Sequence, residues 1–349
     1  MAANFGERLK CARKMAGFSM ESLAEKTGKV ITKQAISKYE KGQMNPGSDA
    51  LLALSRALGV KPDYFFRSQK VILLELEFRR KSKLSRKEEE SIKHRTLDFL
   101  ERYLEIEGIL GEKADFNNPL SSNSISSYAD VERSARELRR KWKLGDAPIS
   151  NLMELLEDKE IHIYEIETGE NFHGISARSR DIPVIAVRSQ DDLLRKRFTI
   201  AHELCHILLK FPERDDQKSR EKLCHTFAGA LFLPEKIIKA ELGERRSRIA
   251  LWELKKLKGI YGISIQAIMV RANRLNIISD HTYRNFWITV NRQGWKACEP
   301  GEYLGKEHAN RFDQLVYHAA AEDIITLSKA AELLNVPLSE FRRTVQIVS

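Results

Sequence analysis

The sequence predicts a mainly α chain with an α+β part, and three observations carry that prediction. Residues 4–66 repeat apolar side chains at helical spacing, in short stretches separated by Gly17, Gly28, Gly42 and Asn45-Pro46-Gly47. Strand-like runs at 161–166, 172–177 and 182–187 stand among longer helical stretches. Past residue 290 the pattern is again mostly helical. A length of 349 residues corresponds to two or three domains, and a hydrophobic content of 42% supports packed cores rather than disorder.

Residues 1–66 are expected to form one domain of five short helices. The first, Asn4 to Met15, places Phe5, Leu9, Ala12 and Met15 on one side and stops at Gly17. Ser19 is a cap for the second, which Glu21 to Lys26 fills. The third runs from Thr32 to Lys41, backed by Ile36 and Tyr39 and ended by Gly42. Asp49 to Leu58 is a fourth, and Pro62 to Phe66 closes the set.

Residues 67–127 read as a connector. It holds a strand-like run from Val71 to Phe78, a mixed-charge run over 79–90, a helix to Leu110, and a polar linker over 114–124. Residues 128–290 form a mixed domain with helices at 128–143 and 151–158, the three strands, and long helices at 191–209 and 218–231. More helices follow to about 276, then a short strand from Phe286 to Val290. Residues 291–349 form a helical tail, ending in a helix pair whose turn contains Asn335-Val336-Pro337. No solenoid period repeats along the chain.

Charge narrows the function. With 59 Lys and Arg against 49 Asp and Glu, the net charge is +10, which attracts polyanions, nucleic acid first. The plainer alternative is solubility. No apolar run approaches the ~18–20 residues that span a bilayer. The start, Met1-Ala2-Ala3-Asn4-Phe5, has no basic segment followed by an apolar one, so no secretory signal is expected. Cys11, Cys205, Cys224 and Cys298 lie far apart with no CxxC pair. That argues against a disulfide scaffold and fits a reducing cytoplasm.

The third helix offers Lys33, Gln34, Ser37 and Lys38 on its open face. Gln pairs bidentately with adenine, and Lys donates to guanine or phosphate. This segment resembles the lambda-repressor/Cro-like (Xre) helix-turn-helix family. Leu23-Ala24, Gln34 through Gly42, Leu51 to Leu58 and Pro62 to Phe66 carry the likeness, about 60 residues in all. Met20 stands where members often carry Gln, and the turn through Lys29-Val30-Ile31 is longer. The resemblance implies operator DNA as partner and a homodimer on a two-fold site. A small helical interaction module is the alternative.

His202-Glu203-Leu204-Cys205-His206 fits HExxH. On a helix, positions i and i+4 share a face, so both imidazoles reach one metal, and Glu203 can take a proton from the attacking water. Phe198, Ile200, Ala201, Leu204, Ile207 and Leu208 give the helix a buried stripe. A catalytic zinc usually takes a third protein ligand. Glu213, Asp215, Asp216, Glu221 and His225 are candidates, and those on a helix are held most rigidly.

These residues resemble the ImmA/IrrE metallopeptidases. Arg197 through Leu209 and Glu221 through Pro234 carry the likeness, which extends loosely from Tyr128 to Trp295. It implies a zincin-like α+β domain, Zn2+ held by His202, His206 and Glu221, and Glu203 as catalytic base. Cys205 stands where Gly is common and His225 where Asn is usual. Tyr261, Tyr283 and His173 are all able to stabilise an oxyanion, and the sequence does not choose among them. Cys205 and Cys224 read either as redox-active thiols or as small packing residues.

Together these features imply a transcriptional regulator carrying a zinc endopeptidase. Its target would be a repressor, an antitoxin-like protein or this chain itself, in stress or mobile-element control. The alternatives are a regulator whose zinc site is structural or sensory, and an antitoxin-like assembly partner. The charged run at 79–90 and the terminal helix pair are each a possible second DNA contact, though solvation and packing explain them more simply.

Overall fold

The computed structural model describes residues 5–67, 84–112, 115–123, 125–179, 181–212 and 216–345. The chain divides into two compact units. One comprises 1–114, 178–180 and 312–349, and the other 115–177 and 181–311.

The first unit opens with α1 (Phe5–Met15), α2 (Met20–Lys26), α3 (Lys33–Glu40) and α4 (Ser48–Leu58). The expected fifth helix is a 3-10 turn at Pro62–Phe66. Ser19 caps α2, accepting from Ser22 N at 3.0 Å, and Thr32 caps α3, accepting from Ala35 N at 3.2 Å. Leu9, Leu23, Ile36, Leu54 and Phe65 bury together beneath these helices. Arg13 joins α1 to α3 through a bidentate pair with Glu40 at 2.6 and 2.8 Å. The long turn between α2 and α3 sets Lys29 at φ 62° and leaves Val30 exposed.

In the same unit α5 (Arg86–Leu110) starts with a capping box between Ser85 and Glu88. The tail forms α14 (Arg311–Ala321), α15 (Leu327–Leu333) and α16 (Leu338–Thr344). Arg102 on α5 donates to Leu333 O, and Phe341 of α16 is fully buried. The expected strand from Val71 to Phe78 lies outside the described residues.

In the second unit α6 (Tyr128–Lys141) and α7 (Leu152–Glu157) precede a three-stranded sheet. Its strands are β1 (His162–Ile166), β2 (Gly174–Ser179) and β3 (Ile182–Arg188), in the order β1-β3-β2. β1 runs parallel to β3 with His162 opposite Val184 and Ile166 opposite Arg188. β2 therefore lies at an edge of the sheet. The strand-like runs read from the sequence are strands, and α8 (Leu193–Leu208) lies against β3, which is buried continuously over 183–187. Then follow α9 (Gln217–Phe232), α10 (Glu235–Leu242), α11 (Leu251–Tyr261), α12 (Ile265–Arg274) and α13 (Asp280–Arg292). Ile163, Val187, Ile200, Leu204, Phe227, Leu231 and Ile268 share one core.

Two local readings change. The expected strand from Phe286 to Val290 is the second half of α13. Ser279 caps that helix, accepting from Thr282 N at 3.2 Å. Tyr283, Phe286, Trp287 and Val290 repeat at helical spacing, and this period outweighs their β propensity. The polar stretch expected as linker is tied down: Leu120 and Ile125 enter the core, and Asn118 Nδ2 donates to Leu208 O at 2.9 Å.

The orientation of α8 is set by a buried clasp. Arg197 has no exposed surface and pairs with Glu307, which is equally enclosed. Its Nη2 donates to Ile149 O at 2.7 Å and its Nε to Gly262 O at 3.2 Å. Glu307 also accepts from Leu152 N and Met153 N at 2.8 and 3.0 Å, capping α7. A charge buried this deeply persists only when fully paired, so the rotation of α8 about its axis is fixed five residues before His202. Among the described residues no helix is long and apolar enough to cross a membrane.

Candidate metal centre and DNA-reading helix

The centre is built by α8 and α9, which pack side by side. Each begins at an Asp cap: Asp192 accepts from Arg195 N at 3.1 Å, and Asp216 from Ser219 N at 2.8 Å. Asp216, one of the candidate ligands, is thus spent on capping. Glu213 and Asp215 lie outside the described residues.

His202 and His206 stand one turn apart on the same side of α8 and turn toward α9. Glu221 meets both. Its Oε2 lies 3.0 Å from His202 Nε2, and its Oε1 lies 3.5 Å from His206 Nε2. Burial acts to raise the Glu221 carboxyl, but the two imidazoles outweigh it and hold it well below the usual carboxylate range. His206 is affected in the opposite sense. Burial would lower it, yet hydrogen bonds to Cys224 and Glu221 raise it to about 9. A metal ion bound at this nitrogen would have to displace that proton.

The residues present fit such an ion. Among the described residues, His202 Nδ1 is buried without a hydrogen-bond partner, and its Nε2 faces the Glu221 carboxylate. A buried donor or acceptor without a bond is costly, and a cation between these groups removes the cost. Two imidazoles and one carboxylate form the donor set that suits zinc. Cys224 broadens the choice: ligand atoms of His202, His206 and Cys224 lie within 4.8 Å of one another. Its Sγ is 3.4 Å from His206 Nδ1. Burial pushes the Cys224 thiol up, but hydrogen bonds with Cys205 and His206 bring it down to about 6.

Glu203 is buried beside the pair, and Ser176 Oγ of β2 donates to its Oε2 at 3.0 Å. β2 can come this near because residue 174 is glycine. A Cβ there would sit 2.4 Å from Thr199 Cγ2 and 3.5 Å from Glu203 Cγ. Next in the chain is His173, whose Nδ1 lies 2.8 Å from Asp191 Oδ2. Arg188 donates to the other oxygen of Asp191 at 2.8 Å. Of the other oxyanion candidates, Tyr261 is buried in the core and Tyr283 sits edge-on to Trp287. His225 bonds through Nδ1 to Glu221 O of its own helix at 2.6 Å, and its ring lies 4.5 Å from that of His202.

In the first unit Lys33, Gln34 and Lys38 are exposed on α3, and Ser37 is half-buried. Lys33 is ion-paired with Glu21 of α2. The four residues expected to read DNA thus share one helix, with one of them already engaged within the module.

Sequence reasoning missed Ser176 as the partner of Glu203 and Glu307 as the partner of Arg197. They lie 27 and 110 positions from those partners, and no local pattern links them. A signal for Cys224 was present: it is three residues after Glu221 on one helix, and so on its face.

Comparison with known proteins agrees with both halves. Residues 9–65 match the helix-turn-helix family model, and residues 156–273 match a peptidase-family model, the IrrE N-terminal-like domain. Among curated proteins, the chain is 41% identical over 63 residues to the SPbeta prophage-derived uncharacterized HTH-type transcriptional regulator YonR of Bacillus subtilis. That match covers 18% of this chain and 56% of YonR. The HTH-type transcriptional regulator ImmR of the same species is 37% identical over 68 residues, 20% of this chain and 52% of ImmR. An uncharacterized HTH-type transcriptional regulator of Sinorhizobium fredii, y4wC, is 39% identical over 64 residues, 18% of this chain and 43% of that protein. The chain spans about half the length of the curated relatives it matches. It carries a helix-turn-helix domain followed by an IrrE N-terminal-like domain of metallopeptidase type.

Proposed function

We propose that the protein is a DNA-binding transcriptional regulator whose second domain is a zinc-dependent endopeptidase. The observation that carries the hydrolytic half is Glu221 facing both His202 and His206, beside a Glu203 anchored by Ser176. His202, His206 and Glu221 would hold zinc, which would supply a Lewis acid for the scissile carbonyl. Glu203 accepts a proton from the attacking water and returns it to the leaving amine. Ser176 fixes the rotamer of Glu203 through Oε2, and the packing of Gly174 keeps the strand at that distance.

Residues 1–66 bind operator DNA as a homodimer, with Lys33, Gln34, Ser37 and Lys38 on the reading helix, and residues 128–290 cut protein. The connector 67–127 and the tail 291–349 complete the layout. The substrate is a repressor, an antitoxin-like protein or a copy of this chain in the cytoplasm. The prophage origin of the YonR relative supports a mobile-element setting.

The test is Glu203→Gln in the full chain. Cleavage, followed by a search for cellular fragments that vanish in the variant, falls by at least about 100-fold, the scale of a lost general base. Zinc content by elemental analysis and operator affinity stay as in the parent. Persisting cleavage ends this mechanism. Operator affinity falls steeply with salt, as phosphate contacts require.

One observation favours a second reading, a structural or sensory zinc site. Cys224 lies near enough to both histidines to act as a ligand in its own right. A thiolate completing a fourth position would close the site to water. Zinc binding with no proteolysis of any cellular protein supports that reading.

A further inference from the structure

Each ring nitrogen of His206 faces a different group. Nε2 points to Glu221 Oε1 at 3.5 Å, and Nδ1 to Cys224 Sγ at 3.4 Å. The two nitrogens of one imidazole diverge, so one metal ion takes only one of them. His202 also turns Nε2 toward Glu221, at 3.0 Å. Both imidazoles therefore meet the Glu221 carboxylate on their Nε2 side, one at each oxygen. With Nε2 engaged there, the neutral imidazole carries its proton on Nδ1, and Cys224 Sγ is its acceptor.

We propose that Cys224 is the positioning residue of the metal centre, accepting a hydrogen bond from His206 Nδ1–H and so fixing that ligand's tautomer and ring angle. Metal-bound histidines generally give their second N–H to a carboxylate or a backbone carbonyl, and loss of that partner weakens metal binding about 10–100-fold. Here a sulfur atom takes the role. Cys224 is fully buried, hydrogen-bonded to the Cys205 thiol, and set on the same helix as Glu221, three residues on. One rigid element thus delivers both the third ligand and the partner of the second. Among the described residues His202 has no such partner: its Nδ1 is buried without a hydrogen bond. The two histidines of the motif are therefore unequal, with His206 the oriented one. This inference rests on the metal site proposed above.

The experiment uses the full-length chain, loaded with Zn2+ or Co2+ alone in competition with a chromophoric chelator. Cys224→Ala is expected to weaken zinc about 10–100-fold. Cys224→Ser, whose hydroxyl oxygen accepts the same N–H, recovers most of the loss. The parent protein with Co2+ shows no near-ultraviolet thiolate-to-cobalt charge transfer, a readout that needs no variant to fold.

An unchanged affinity in Cys224→Ala overturns the inference, as does a Ser variant no better than Ala, which would mean that sulfur only fills space. A charge-transfer band in the parent also overturns it and makes Cys224 a ligand. Glu221→Gln separates this from the reading beneath it. If zinc affinity collapses there while the Cys224 variants are silent, only the positioning role falls. If Glu221→Gln binds zinc like the parent, or the parent binds neither metal, the ligand set itself falls.

Discussion

The proposed reading helix and the candidate metal centre place their functional groups in opposite ways. On α3 the groups expected to meet DNA stand at or near the surface, and one eight-residue helix presents them all. Around α8 the groups are buried or half-buried, and they come from two helices and a strand. A surface array of this kind is specified by one helix and its cap. A convergent buried site depends on how distant segments pack, so it inherits every stress in its domain. Substitutions in the second unit should therefore act on stability and site together, and those on the exposed face of α3 on binding alone.

The largest effect is expected at the clasp. Glu307→Ala leaves the Arg197 guanidinium buried without its carboxylate and uncaps α7, which costs about 3–5 kcal/mol. Chemical denaturation of the full chain measures the loss. If the comparison holds, zinc binding weakens with it while operator affinity is kept. A variant as stable as the parent would show that α8 is held by other means.

Glu157 gives a slightly smaller effect of opposite sign. Burial pushes its carboxyl up to about 7, while the Asn310 and Arg311 amides that bond to it act downward without prevailing. Below the ordinary pKa of about 4.5 the carboxyl is protonated in both the folded and the unfolded chain. Between there and 7 the folded state binds the extra proton, so stability falls as pH rises through that window. By about 1.4 kcal/mol per pKa unit, the loss is about 3 kcal/mol. Glu157→Gln should recover most of it at pH 8 and flatten the pH profile between about 4.5 and 7. An identical profile in the two proteins would show that Glu157 is ionised within the fold.

Gln34→Ala tests the other side of the comparison. It should weaken operator binding by about 1–3 kcal/mol and relax discrimination at one base pair, with an unchanged melting curve. Smallest is Thr32→Ala, which removes the cap of α3 and costs about 1 kcal/mol of stability. Were the Gln34 variant to lose stability rather than affinity, α3 would be packing surface instead of a reader.

The same contrast explains what was legible in the sequence. The cap at Ser19, the glycine stops and the HExxH spacing are local signals, and each points to the structure found. Phe286 to Val290 misleads because aromatic and β-branched residues suggest a strand, while the helical stripe emerges only when Ser279 and Tyr283 are included. Glu221 was reachable through resemblance, and its meeting with both imidazoles is visible only in three dimensions. Ser176 and Glu307 had no local signal, because burial and sequence-distant pairing leave no period behind.

The missing side chain at position 174 bears on how this site could vary. One added carbon there would collide with a branched residue one turn ahead of the first metal-facing histidine, on the same rigid rod. Strand and rod would have to separate, and the serine that steadies the acid would retreat along with its backbone. The spacing on which the proposed proton transfer depends is thus written as an absence of atoms, and the smallest possible enlargement would erase it.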